Sequence, residues 1–250
     1  MAVSIKSARE IELMREAGKR LAHVHQELEA MITPGISTWE IDAKGEKLIR
    51  DCGCIPNFLH YNGYPASICV SVNDEVVHGI PRKDRYLKEG DIVSLDAGLI
   101  YKGYHSDAAR THAVGKVSTE AQKLMDVTKQ SFFEGIKMAK EGQHLHDISR
   151  AIEEYVTPYG YGIVRDLVGH GIGTALHEDP QIPNYAQKRR GVRLQAGMTL
   201  AIEPMINAGT WQGRFPRDGW TVVTKDGSLS AHYENTILVT DGEPEILTLY

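Results

Sequence analysis

Seven side chains of the types that bind divalent cations are spread between positions 78 and 234: His78, Asp96, Asp107, His170, His177, Glu203 and Glu234. Each lies among apolar residues or glycine, as in SLDAG (94–98), GHGIG (169–173), LAIEPM (200–205) and HYENTI (232–237). Burying a carboxylate in such a segment is costly unless a cation or a hydrogen-bond partner compensates. Four carboxylates and a histidine can hold two divalent ions, and a pair of ions about 3.5–4 Å apart is a recurrent device for activating water against an amide or a phosphate. Hydrolysis is the first chemistry this set suggests.

Asp96 and Asp107 stand at hairpin spacing, with Lys102-Gly103 in the interval as a turn. Two strands joined there put both carboxylates on one face, because strand side chains alternate with period two. Taken alone, the pair could instead cap a turn or pair with Arg110, and Glu203 or Glu234 singly could be structural. Together the four reach the ligand count of a dinuclear site. His170 and His177 fall in GHGIGTALHE, where Gly169, Gly171 and Gly173 disfavour a helix. That spacing predicts a glycine-rich loop bringing one imidazole to the metals and the other to a substrate. GHGIG lacks the Lys-Ser/Thr of a phosphate loop and the dinucleotide fingerprint, and His177-Glu178 runs on as Asp-Pro-Gln, so the HExxH zinc motif is absent too. His78, in VVHGIP, repeats the tripeptide His-Gly-Ile of 170–172; as a lone histidine it would suit an ordinary core or surface position.

Elements that could position these groups come in a repeated order. Ser7-Ala-Arg-Glu10 is a capping box followed by Ile11, Met14, Leu21, Val24, Leu28 and Met31 at helical spacing, which predicts a long helix ending at Thr33-Pro34-Gly35. A second capping box, Ser37-Thr-Trp-Glu40, opens a helix that stops near Gly53. Strands are expected over 67–72, 91–100 and 104–114, then a long helix over 119–140, a shorter one over 146–156, and strands over 163–168, 198–206, 220–224 and 234–240. An offset of 107 residues aligns the two copies, carrying Gly35 onto Gly142, Gly53 onto Gly160, Leu87 onto Leu194, Gly90 onto Gly197 and Asp96 onto Glu203. The expectation is a single α+β domain of two related halves, about 7–114 and 119–250. Each half would be a helix pair followed by antiparallel strands, and the carboxylates would meet between them.

Bulk properties narrow the function. With 250 residues and 42% hydrophobic content the chain can bury a sizeable core, and its net charge of −5 gives no electrostatic footprint for strong nucleic-acid or anionic-membrane binding. The local cluster Lys188-Arg189-Arg190 with Arg193 reads as a solvated loop in preference to a contact with RNA or an acidic partner. Three cysteines, Cys52, Cys54 and Cys69, are an odd number in a long chain and point to a reducing compartment; Cys52-Gly53-Cys54 lacks the second pair of a zinc knuckle. No apolar run nears the roughly 20 residues of a membrane span, and MAVSIKSARE holds no signal-peptide core. A cytoplasmic protein is expected.

NDEVVHGIP (73–81), SLDAG, GYHSDAAR (103–110), GHGIGTALHEDPQIPNY (169–185), LAIEPM, DGWTVVT (218–224) and HYENTI occur together in an order that resembles type I methionine aminopeptidase over nearly the whole chain. The resemblance implies the pseudo-twofold "pita-bread" fold around a dinuclear metal site. It implies that Asp96, Asp107 and Glu234 hold one ion, with Asp107 and Glu234 bridging to a second held by His170 and Glu203. Glu203 would also move the proton, and His78 and His177 would contact the substrate. Residues matching the family's methionine pocket are Phe58, Tyr61, Tyr64, Cys69, Leu176 and Trp220; Leu176 stands where some members carry phenylalanine, and Asn62 where some carry histidine. Two divalent ions are implied, and oxygen ligands with one imidazole suit cobalt, manganese, iron or zinc. The expected activity is removal of the initiator methionine from nascent chains with a small, uncharged second residue, by a cytoplasmic monomer meeting its substrates at the ribosome. The pattern begins near residue 7, as in the short bacterial form. Alternatives are an Xaa-Pro aminopeptidase or dipeptidase, which shares the fold but usually carries an added N-terminal domain, and a non-catalytic module with the same fold, which would have lost a metal ligand.

Overall fold

The computed structural model describes residues 3–249. Helix α1 (Ala8–Glu29) starts at the expected capping box, with Ser7 N–H donating to Glu10 Oε2 at 2.7 Å, and α2 (Thr38–Asp51) starts at the second, with Ser37 N–H donating to Glu40 Oε2 at 2.9 Å. Both boxes occupy amide donors that a helix N-terminus leaves without intrahelical partners. Strands β1 (Ile55–Pro56), β2 (Ile68–Val72), β3 (Glu75–Val77), β4 (Ile92–Tyr101) and β5 (Tyr104–Ala113) follow. The order then restarts with α3 (Thr119–Ile136) and α4 (Leu145–Val156). After them come β6 (Gly162–Ile163), β7 (Gly169–Gly171), β8 (Glu178–Ile182), β9 (Thr199–Ile202), β10 (Met205–Asn207), β11 (Gly213–Arg214), β12 (Val222–Thr224), β13 (Ser230–His232), β14 (Glu234–Leu238) and β15 (Glu245–Ile246).

One antiparallel sheet crosses the molecule in the order β1-β4-β5-β14-β9-β7-β8, with β2 also paired to β4 and β15 to β14. Its centre, β5 against β14, joins the two runs of the chain. Leu21, Val24 and Leu28 of α1 and Ile41 and Ile49 of α2 pack with Leu95, Leu99 and Ala108 of the first-half strands, while α3 and α4 pack Leu124, Phe132, Ile148 and Ile152 with Leu200, Ile202 and Ile237. Helices therefore cover one face of the sheet, leaving the opposite face for a site.

The 107-residue offset reappears in backbone geometry. Gly35 and Gly142 have φ of +94° and +87°, and Gly90 and Gly197 have +91° and +93°, a region glycine enters without Cβ strain. Gly35 N–H donates to Leu87 O at 2.8 Å and Gly142 N–H to Leu194 O at 2.9 Å; Gly90 N–H donates to Val114 O and Gly197 N–H to Val239 O, both at 2.9 Å.

Several boundaries differ from expectation. Helix α1 ends at Glu29, before Thr33-Pro34-Gly35, and α3 ends at Ile136 rather than Lys140. Of 163–168 only Ile163 is in a strand. The run 198–206 splits into β9 and β10 at Glu203-Pro204, since proline supplies no ladder donor. GHGIG is not simply a loop: Gly169–Gly171 is a strand. A Cβ on Gly169 would lie 2.4 Å from Ala201 O, and one on Gly171 2.2 Å from Asp179 O, so these glycines permit close strand approach.

Candidate metal centre

Strand register brings the acidic residues together. Asp96 of β4 pairs with Ala109 of β5, which pairs on its other side with Glu234 of β14. Ala109 thus leaves room between two carboxylates. Asp107, two residues before Ala109, shares its face and pairs with Gly98, where a Cβ would come within 3.0 Å of Asp107 Oδ1 and 2.4 Å of Asn57 Nδ2. Asn235 of β14 pairs with Ile202 of β9, so the next step along both strands sets Glu203 beside Glu234. His170 of β7 pairs with Ala201, two residues before Glu203, and its Nε2 lies 3.6 Å from Glu203 Oε1. One ligand atom from each of Asp107, His170 and Glu234 lies within 4.8 Å of the others.

Chemistry of the donors fits a divalent cation. Asp107 and Glu234 are 4% and 2% exposed. Burial first, and then the neighbouring carboxylates, raise Asp107 and Glu234 well above the usual carboxylate range; burial and Asp96 do the same to Glu203. Burial lifts Asp96 to about 7, and its Oδ1 has no hydrogen-bond partner among the described residues. Four such groups cannot all ionise together without added positive charge. The imidazole is prepared as well: His170 Nδ1–H donates to Gly171 O at 2.8 Å, which leaves Nε2 with a lone pair facing Glu203, and burial holds the ring's pKa near 4.

A cavity of about 200 Å³ opens onto this cluster. Its walls carry all of the metal-site positions singled out from the sequence together with His78, His177 and the six pocket positions. Phe58, Tyr64, Cys69 and Leu176 are buried, and Tyr64 meets Trp220 edge-on at 5.2 Å between ring centres. Cys69 pairs with Asp96 in the ladder, so the apolar pocket begins one strand away from the acids. Tyr61 Oη lies 2.8 Å from His177 Nδ1, and the His177 ring sits 4.4 Å from that of His170. Burial lowers the pKa of His177, and burial, followed by electrostatic repulsion from His177 when that ring is protonated, lowers His78 to about 4, so burial favours the neutral form of both rings. His78 has φ of +58°, uncommon outside glycine, at the turn into the site. Asn62, also left-handed at φ +50°, borders the same cavity.

Residues 12–241 match metallopeptidase family M24. The chain belongs to that family. It is 53% identical over 247 residues to a methionine aminopeptidase of Clostridium acetobutylicum, covering 99% of each. A methionine aminopeptidase structure from Thermotoga maritima matches with TM-score 0.97 at 46% identity, over 100% of both chains. Prolidase from Pyrococcus furiosus matches with TM-score 0.78 at 25% identity, and this chain covers 65% of it. The fold is therefore the pita-bread fold of M24 enzymes.

One buried histidine escaped the sequence reading. His232, 2% exposed, sends Nε2 to within 3.8 Å of Glu234 Oε2, and with Asp96 and Glu234 it forms a second trio whose ligand atoms lie within 4.8 Å of one another. As a lone histidine in SAHYE it carried no spacing signal. Its pairing with Met205 could emerge only from the strand register.

Proposed function

We propose that this chain is a methionyl aminopeptidase: a metal-dependent exopeptidase that hydrolyses the bond after an N-terminal methionine. The observation that carries the reading is one cavity combining an apolar pocket with a crowded set of buried carboxylates and an imidazole, in a chain about half identical, end to end, to enzymes of that name. The prolidase of Pyrococcus furiosus is less similar in both sequence and structure.

Asp96, Asp107, His170, Glu203 and Glu234 would hold two divalent ions, Asp107 and Glu234 serving both; their donor types suit cobalt, manganese, iron or zinc. Such ions supply Lewis acidity for amide hydrolysis. Glu203, its proton affinity raised by burial and by Asp96, carries a proton from water to the leaving amine. Tyr61, by donating to His177 Nδ1, leaves Nε2–H as a neutral donor for the scissile carbonyl or the oxyanion, and His78 serves beside it. Phe58, Tyr61, Tyr64, Cys69, Leu176 and Trp220 enclose the methionine side chain, the aromatic rings offering surfaces its sulfur favours.

With methionine seated there, the second residue passes close to His177. A small, uncharged side chain allows attack, whereas a bulky one displaces the carbonyl, and an error of about 1 Å can cost on the order of 10²-fold. The natural substrates are the N-termini of nascent chains at the ribosome, met by a cytoplasmic monomer built as a single catalytic domain from halves 7–114 and 119–250. No helix among the described residues is long and apolar enough to cross a membrane. The test is methionine release from Met-Ala-Ser, Met-Leu-Ser and Xaa-Pro peptides, with and without a chelator. Chelator-sensitive cleavage of Met-Ala-Ser alone is expected; preferential Xaa-Pro cleavage would overturn the reading, and equal kcat/KM for Met-Ala-Ser and Met-Leu-Ser would overturn the steric account.

A further inference from the structure

His232 is held by its backbone rather than by its ring. His232 N–H donates to Thr111 Oγ1 at 2.9 Å, Thr111 Oγ1–H donates to His232 O at 2.8 Å, and the residue pairs with Met205 at the end of β13. Its ring nitrogen Nε2 is buried without a hydrogen-bond partner among the described residues, as is Asp96 Oδ1. A buried nitrogen normally finds a partner, because leaving it unpaired is costly. Here the acidic atoms it approaches belong to Asp96 and Glu234.

The internal repeat explains why an imidazole stands at this point. In the first half Asp96 pairs with Ala109 and Gly98 with Asp107; in the second half Glu203 lies beside Glu234 and Met205 pairs with His232. The two patterns superimpose when Asp96 is matched to Glu203, which makes His232 the counterpart of Asp107. Each half therefore points one side chain from the same ladder position toward the shared centre. Two ligands each about 2.1 Å from one ion can be at most about 4.2 Å apart, and the 3.8 Å between His232 Nε2 and Glu234 Oε2 is within that span.

We infer that His232 is a sixth metal ligand, binding through Nε2 the cation held by Asp96 and Glu234, so that each of the two subsites carries one imidazole. The inference rests on the metal reading proposed above and adds a residue to it. A nitrogen donor at the Asp96 subsite favours zinc, cobalt or iron over manganese there, because affinity for nitrogen ligands rises along that series.

Imidazole-¹⁵N NMR on the full-length protein tests this while zinc is titrated in. Two histidine Nε2 resonances are expected to move to metal-coordinated positions at saturation, one of them absent from His232→Gln. Isothermal titration should show His232→Gln losing at least about tenfold in zinc affinity at one of two sites, with a smaller loss for manganese. An uncoordinated His232 resonance at saturating zinc would overturn the inference while leaving the five-ligand site standing. So would unchanged two-site affinities in His232→Gln. If the wild-type protein takes up no zinc, manganese or cobalt at all, the metal reading itself fails and this one with it. Should His232→Gln not fold, the resonances of the wild-type protein still decide the question.

Discussion

Strand β5 presents two buried polar regions of opposite character. On one face, Asp107 joins Asp96, Glu203 and Glu234, four carboxylates whose proton affinities are raised, Asp96 by burial and the other three by burial together with repulsion from their acidic neighbours. On the other, Arg110 places its guanidinium among acceptors: it donates to Ala109 O, Glu234 O, Asn235 Oδ1 and Thr248 O, and lies 4.7 Å from the Tyr233 ring centre. Both faces contain charge that burial disfavours. Only the Arg110 face answers it with the protein's own atoms, so that region is structural, while the carboxylate face calls for a cation from outside.

The sharpest way to break this contrast is to remove a charge from the carboxylate face. Asp107→Ala should bring aminopeptidase activity to background and lower metal content, because the proposed ligand shared by both ions is gone. Without metal, Asp107→Asn should melt no lower than wild type at pH 7, since the variant no longer carries a carboxyl group whose ionisation burial and its acidic neighbours oppose. Metal analysis, initial rates and apo-protein melting curves check all three. A variant retaining two ions and a near wild-type rate would sink the bridging role.

His177 separates substrate chemistry from ligation on that same face. Its ring is tied to Tyr61, so His177→Ala should reduce kcat by roughly 10², the scale for losing a positioned donor, with metal stoichiometry unchanged. Loss of an ion would make His177 a ligand instead.

Much of the fold and of the carboxylate face was legible in the sequence. Capping boxes are local, so Ser7 and Ser37 marked helix starts directly, and the Asp96/Asp107 spacing predicted a shared hairpin face because period-two alternation needs no tertiary information. The 107-residue repeat anticipated the matching turns at Gly35 and Gly142. What failed was non-local. GHGIG read as a loop because glycine is a poor strand former in isolation, yet Gly169 and Gly171 are there for close approach to neighbouring backbone. His232 and the acceptors around Arg110 depend on which strands pair, and neither periodicity nor motif spacing encodes that pairing. Helices α1 and α3 overran in the reading because apolar periodicity continues through Met31 and Met138 after the hydrogen-bonded helix has ended.

On the Arg110 face, the comparison predicts destabilisation without loss of chemistry at the metals. Arg110→Met deletes a buried cation and strands the acceptors it served, which should lower stability by about 2–4 kcal/mol. Urea titration of the metal-free protein measures this. An unchanged midpoint would remove the argument that Arg110 organises its face.

The smallest effect concerns two histidines near Arg110. His25 Nε2–H donates to Ala108 O at 2.8 Å while His25 Nδ1 and His112 Nε2 have no hydrogen-bond partner among the described residues, so protonating either ring would bury an unpaired N–H near a fixed cation. Burial, with Arg110 adding to it, pushes His25 well below its ordinary value and His112 down to about 4, against the opposing pull of Glu29 on His112. In the unfolded chain both titrate near 6.5, so between that value and about 4 the unfolded state binds more protons than the folded one. Stability from these groups is therefore complete above about pH 6.5 and is lost as pH falls through that window, by at most about 3 kcal/mol for His112. His112→Asn cannot take up a proton and should flatten the fall in urea midpoint between pH 7 and 4.5. If His112→Asn keeps the wild-type pH slope, the acid sensitivity of the fold originates elsewhere, and His112 has no part in the difference between the two faces.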